Sequence, residues 1–329
     1  MKLPSTTWKE KVAPDEETRF AAYGEKFLAM QREISAKQGA GRALHRKQIL
    51  ALKGSVTVPD QVAESAHFGF FARPGTYPAW VRLSNGGAAK GPDSRPDVRG
   101  FAIKIHGVSG AGALGMGDTS SQDFLFINAP AFAQPTVDEF VGLALSGSRG
   151  VGALLSYLVK RYGFVRGLSE AARLNKGLSR PFSGFATQPL FSATPISVGP
   201  YAAKLRLLPT RQDGLPGASS DWAEDLRRHL QKGELRWDIQ LQFYVDEFIT
   251  PLEDASAEWP ESETPFVTVA HLSCPTSQPR GEESATFEAE VEAHKFDPWC
   301  ALAEHRPLGE VMRARKVIYF LSQKERGAL

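Results

Sequence analysis

Two ends of the chain carry residues whose types and spacing could do chemistry. Arg315 and Tyr319 are four positions apart and Arg326 is seven beyond the tyrosine, so all three share a face if one helix carries them. A tyrosine ligates ferric iron as phenolate, and its unperturbed pKa of about 10 requires a neighbouring positive charge to favour that form. Arg315, one turn away, supplies it. Arg326 could grip a carboxylate in the planar two-point geometry that a lysine does not reproduce. Near the other end, Arg42 and His45 lie three apart in RALHRK. A buried neutral imidazole, with an unperturbed pKa of about 6.5, can take a proton from one peroxide oxygen and return it to the other. Arg82 and Ser84 then fall on one side of a strand in WVRLSN, with Arg95 and Arg99 following. Singly, each of these is an ordinary polar residue: an RxxxY in a basic helix reads as a solvated face. The combination is what points to a site.

The surrounding pattern predicts the scaffold. In 14–37, Phe20, Tyr23, Phe27, Met30 and Ile34 recur every three or four positions, as in an amphipathic helix. Strand-like runs follow at 51–58, 80–84, 101–106 and 124–128, separated by Gly, Pro and Asp. A helical stretch with breaks spans 137–174. Strands resume at 201–208, 235–245 and 266–272, with a short helix at 221–232. After a Pro-rich, acidic loop around 275–284, a helix of roughly 308–324 ends the pattern. The sum is a β-rich α+β fold, a mostly antiparallel sheet with helical insertions, expected as one domain over 1–329.

Composition excludes several classes. A formal net charge of +2 and 23% charged residues leave no nucleic-acid footprint, and 42% hydrophobic content supports a large core. No run is long and apolar enough for a membrane span, and no secretory signal opens the chain, so a cytoplasmic protein with a small-molecule partner is expected. Cys274 and Cys300 are too few and too far apart for a disulfide framework or a CxxC metal site.

Five segments together resemble the monofunctional haem catalases, and more closely the shorter catalase-like haem proteins, which include catalase-related peroxidases. They are RALHRK, WVRLSN, DVRGFAIKI, DFLFINAP and the final series WPESETPFVTVAHLSCP, EAEVEAHKFDP and RARKVIYFLSQKER, in the family's order over about 40–326. The resemblance implies an eight-stranded antiparallel β-barrel with helical insertions, an N-terminal helical arm over 1–40 and a proximal helix within 305–329. It implies haem b, with iron held by Tyr319, a distal His45 supported by Ser84, propionates held by Arg42, Arg82 and Arg326, Arg315 beside the tyrosine, and Phe126 packed on the haem. Ser121 stands where catalases carry a distal asparagine, so peroxidase-type work on hydrogen peroxide or organic hydroperoxides is expected rather than full catalase turnover. Counterparts of the long arm and later helical domain of large catalases are not expected. A homo-oligomer is compatible with this, but an interlocked tetramer and bound NADPH are not expected.

Other readings compete. Within the family, an allene oxide synthase or lyase would rearrange a fatty-acid hydroperoxide. Such synthases place Thr before the distal His, where this chain has Leu44. A non-catalytic haem carrier or sensor would keep the pocket without turnover. GAGALG at 110–115 fits a dinucleotide fingerprint but leads into a turn and a strand, not a helix. Cys300 as a haem thiolate has no motif around it.

Overall fold

Runs of Val, Ile, Leu and Phe at every second position commit the long barrel segments to strands, because only alternate side chains can then reach a common core. The structure is a computed structural model and describes residues 2–210 and 221–328. Its strands are β1 (Gln48–Val58), β2 (Gly75–Asn85), β3 (Arg99–Ala111), β4 (Asp118–Ile127), β5 (Leu190–Phe191), β6 (Ile196–Val198), β7 (Tyr201–Pro209), β8 (Leu235–Phe243) and β9 (Val267–Cys274). All pair antiparallel, in the order β5-β4-β3-β2-β1-β9-β8-β7-β6. The short β5 pairs with β4 through Ile127 and with β7 through Leu207 and Arg206, so eight strands close into a barrel and β6 extends β7 alone.

Closure leaves few backbone groups unpaired, and the alternate inward positions fill the barrel. Val81, Leu83, Phe101, Ile103, Ile105, Phe124, Phe126, Leu207, Trp237, Ile239 and Leu241 belong to one apolar cluster. Trp237 has no exposed surface and its indole nitrogen donates to the Phe185 carbonyl at 2.9 Å. The opposite face of β2, β3 and β4 carries Arg82, Ser84, Ala102 and Leu125.

That outer face is covered by helices. α1 (Glu16–Gln38) and α7 (Glu310–Glu325) cross closely, for a Cβ on Gly24 would lie 2.5 Å from Leu321. α2 (Val137–Ser148) packs beside them, contributing Val137 and Val141 to an apolar cluster with Phe20, Phe27, Val311 and Ala314. Arg313 anchors α7 with bonds to Glu10 at 2.7 Å, Glu16 at 2.7 Å and Glu253 at 3.1 Å. Those three carboxylates raise its already high pKa. α3 (Val151–Tyr162) and α4 (Phe164–Leu178) follow α2, and α5 (Trp222–Gln231) is capped by Asp221, which accepts from the Glu224 amide at 2.9 Å.

The architecture is as expected, with local differences. The helical stretch at 137–174 is three helices, broken at Gly150 and Gly163, whose φ angles of 106° and 82° no other residue adopts cheaply. The loop expected to reach residue 284 gives way earlier to α6 (Glu282–Ala293), a Glu-rich helix that buries only Phe287 and Val291. β5 and β6 were too short to show a period. Gly110–Gly115 bridges the end of β3 and the turn into β4, with no helix.

Trp237→Ala should remove about 3 to 5 kcal/mol of stability by opening a cavity in the barrel. Urea unfolding measures this, and an unchanged midpoint would remove Trp237 from the core.

Candidate active site

The segment before β1 supplies Arg42 and His45, β2 supplies Arg82 and Ser84, and α7 with its C-cap supplies Arg315, Tyr319 and Arg326. These meet in one cavity between the outer face of β2–β4 and helices α1, α2 and α7. Eight of the nine expected site residues line it, Phe126 among them. Ser121 does not. Its hydroxyl bonds to Asp123 at 3.2 Å and receives the Lys104 ammonium at 3.3 Å, and it pairs with His106. It lies five residues before Phe126, about 16 Å along an extended strand.

His45 is held in an unusual conformation. Its φ of 51° is a left-handed value uncommon for a residue other than glycine. Neighbours fix it there: its amide donates to the Gly86 carbonyl at 3.0 Å, and its carbonyl accepts from Arg82 Nη2 at 2.9 Å. Nδ1 meets Ser84 Oγ at 3.0 Å, which leaves Nε2 for the cavity. Gly100 is required beneath the ring, since a Cβ there would stand 2.5 Å from Nδ1 and 2.6 Å from Ser84 Oγ. Burial, then the positive charges of Arg82, Arg315 and Arg42, push the imidazole down to about 3, so it is neutral near pH 7.

On α7, Arg315 Nη2 donates to Tyr319 Oη at 2.7 Å, and its guanidinium lies 4.9 Å from the ring centroid. The phenol oxygen therefore already faces a fixed cation. One turn on, Gln323 lines the same cavity and donates to Asp297 at 2.7 Å, the carboxyl of which burial pushes up.

Three guanidiniums gather at one rim. Arg42 and Arg82 both pair with Glu292, Arg82 at 2.9 Å, and Arg42 and Arg326 also reach the His294 carbonyl at 2.7 and 2.9 Å. A single carboxylate thus faces three positive charges. Burial lowers the pKa of all three arginines, and mutual repulsion lowers those of Arg42 and Arg326 further.

These features fit a haem. The rim has an excess of two positive charges, matching two propionates. The walls are apolar, with Leu44, Leu125, Phe132, Phe140 and Ile318. Among the described residues no group of three or more His, Cys, Asp or Glu could hold a metal ion. Cys300 does not line the cavity, and burial pushes its thiol up to about 12, away from the thiolate form.

Sequence reasoning missed Glu292, which sits in an alternating acidic run that reads as solvated. Leu125 and Phe132 were missed as wall residues. Alternation along β4 could have found Leu125, since Phe126 faces the barrel cluster while bordering the cavity. Arg99 was a plausible pocket residue but donates to Asn85 and to the Asp93 and Arg95 carbonyls instead.

Solved structures share the fold that carries this cavity. Catalase A from Saccharomyces cerevisiae superposes with a TM-score of 0.69 at 16% identity, over 99% of this chain and 68% of that one. The fold is catalase-like. A fungal catalase gives 0.67 at 17% identity, over 99% and 65%, and a bacterial catalase gives 0.63 at 16%, over 99% and 63%. The chain therefore spans about two thirds of the catalases it matches. No protein-family model and no curated protein matches the sequence. In this catalase-like chain, no helix among the described residues is long and apolar enough to cross a membrane.

The unfolded imidazole of His45 takes up a proton near pH 6.5, the folded one only near pH 3. The unfolded chain binds more protons between those values, so acid drains stability across that window by up to about 1.4 kcal/mol per pH unit. His45→Gln, which cannot charge, should flatten the fall in thermal stability from pH 6.5 to 4. An unaltered slope would mean the ring is not desolvated.

Proposed function

We propose that the chain is a haem-dependent peroxidase of the catalase-related type, acting on hydrogen peroxide or organic hydroperoxides. The observation that carries this reading is the shared cavity itself: a neutral imidazole, a phenol bonded to a guanidinium, and a rim with two uncompensated positive charges all line it.

In this reading Tyr319 Oη would hold the iron, and Arg42, Arg82 and Arg326 would hold the propionates. Bound haem supplies the redox chemistry that breaks a peroxide O–O bond. The chain's own groups do the rest. Arg315 keeps its N–H on Tyr319 Oη at 2.7 Å, which holds the phenol oxygen beside a fixed cation. The tautomer in which His45 Nδ1–H donates to Ser84 leaves a lone pair on Nε2. That nitrogen accepts the proton of the incoming hydroperoxide and returns it to the departing oxygen. Ser84 and the Arg82 bond to the His45 carbonyl keep the ring aimed. The apolar walls exclude water and accept an organic substituent. Ser121 has no part in this scheme, because its hydroxyl is committed to Lys104 and Asp123.

His45→Ala should retain haem while peroxide consumption falls at least about a hundredfold, the usual worth of a positioned acid–base group. Activity within a few-fold of the parent would take the proton-transfer role from His45. Tyr319→Phe should lose haem or change its absorption spectrum, and an unchanged spectrum would exclude Tyr319 as ligand. Product analysis with a fatty-acid hydroperoxide separates reduction from rearrangement: an epoxide, ketone or aldehyde formed without reductant would overturn the peroxidase assignment.

A further inference from the structure

Charge is segregated along this chain. Residues 149–180, which include α3 and α4, hold seven Lys and Arg against the single acid Glu170, a net of +6. The whole chain carries +2, so the remainder carries −4. Among the described residues only Arg173 of these seven is in an ion pair, with Glu170 at 2.8 Å.

The same segment exposes apolar side chains that most folded surfaces hide. α3 and α4 are joined by Gly163 alone, at φ 82°, and their backbones touch beyond the turn, for a Cβ on Gly167 would lie 2.8 Å from the Val159 Cα. This close packing leaves the tip residues no room to fold inward. Phe164 is 70% exposed and Val165 81%, with Lys160, Arg161 and Arg166 beside them. An aromatic and an aliphatic side chain held outward within a basic collar lose free energy in water and gain it where apolar chains lie beneath anionic groups.

We propose that the α3–α4 hairpin docks this protein on an anionic lipid surface, with Phe164 and Val165 entering the apolar layer and the flanking basic residues contacting phosphate and carboxylate headgroups. The attachment is peripheral, since no described helix can span a membrane. A nucleic acid would engage the charges but leave Val165 in water. A symmetric second copy would bring two like-charged hairpins together, which repel. Docking is independent of the haem reading, because it uses none of the cavity residues.

The test is co-sedimentation of the full chain with vesicles of phosphatidylcholine, with and without phosphatidylserine. The chain should bind the mixed vesicles at least about tenfold more strongly than pure phosphatidylcholine, and binding should weaken as salt is raised. Two double variants, Lys160→Glu with Arg161→Glu and Phe164→Ser with Val165→Ser, should each weaken binding at least about tenfold. All four side chains belong to the exposed tip or its basic flank, and circular dichroism and the thermal midpoint verify that the variants fold. Phe164→Ala with Val165→Ala repeats the test with minimal disturbance. No binding to mixed vesicles, equal binding to both kinds, or undiminished binding by either class of variant overturns the proposal. So does self-association that these substitutions abolish in place of vesicle binding. Oligonucleotide binding that outcompetes vesicles and survives loss of Phe164 and Val165 overturns it as well.

Discussion

Three guanidiniums share one carboxylate at the rim of the cavity, and much of the structure serves to hold that imbalance in place. Arg42, Arg82 and Arg326 come from a loop, a strand and a helix end far apart in sequence, and meet at Glu292 and the His294 carbonyl. Burying like charges together is costly unless an anion completes the set. Glu292 offsets part of the charge. Two positive charges remain at the edge of a cavity walled largely by aliphatic and aromatic groups, a combination that would suit the proposed haem, a large apolar ligand with two negative charges at one edge.

The barrel makes this arrangement possible by being full. Its inward positions pack against one another, which turns the cavity outward, onto the faces of β2, β3 and β4 that Arg82, Ser84 and Leu125 occupy. Helices then form the opposite wall. Arg313, braced by Glu10, Glu16 and Glu253, fixes α7 against the N-terminal segment and so sets where Tyr319 faces. At the site, strain falls on His45, whose left-handed backbone is held by Gly86, Arg82 and the space left by Gly100.

Long periodic elements were legible in the sequence, because burial on one face writes a pattern into the residues. That is why α1, α7 and the long strands fall where the spacing puts them. β5 and β6, two and three residues long, carry no period, although β5 closes the barrel. α6 buries only two apolar side chains, so it shows no helical period in the sequence, and Glu292 was missed with it. Eight of the residues expected at the site line the cavity; Arg82, Ser84, Phe126, Arg315 and Tyr319 lie on strands or a helix whose phase the sequence shows, whereas Arg42, His45 and Arg326 sit in a loop or at a helix end and were legible only through their local motifs. Ser121 was assigned by counting along a strand, and the β3–β4 register carries it away from the cavity instead. Contacts that depend on tertiary closure, such as Glu292 with Arg42 and Arg82, leave no local signal.

The central claim is that the excess positive charge at the rim exists to hold two carboxylates of a bound macrocycle. Titrating the purified chain with ferric haem and, separately, with its dimethyl ester tests this most directly, because the ester keeps the ring and the iron but lacks both charges. Charge-assisted hydrogen bonds contribute about 1.5 to 3 kcal/mol each, so haem should saturate at one per chain and the ester should bind at least about a hundredfold more weakly. Equal affinity for the two, or no saturable binding of haem, would contradict the account.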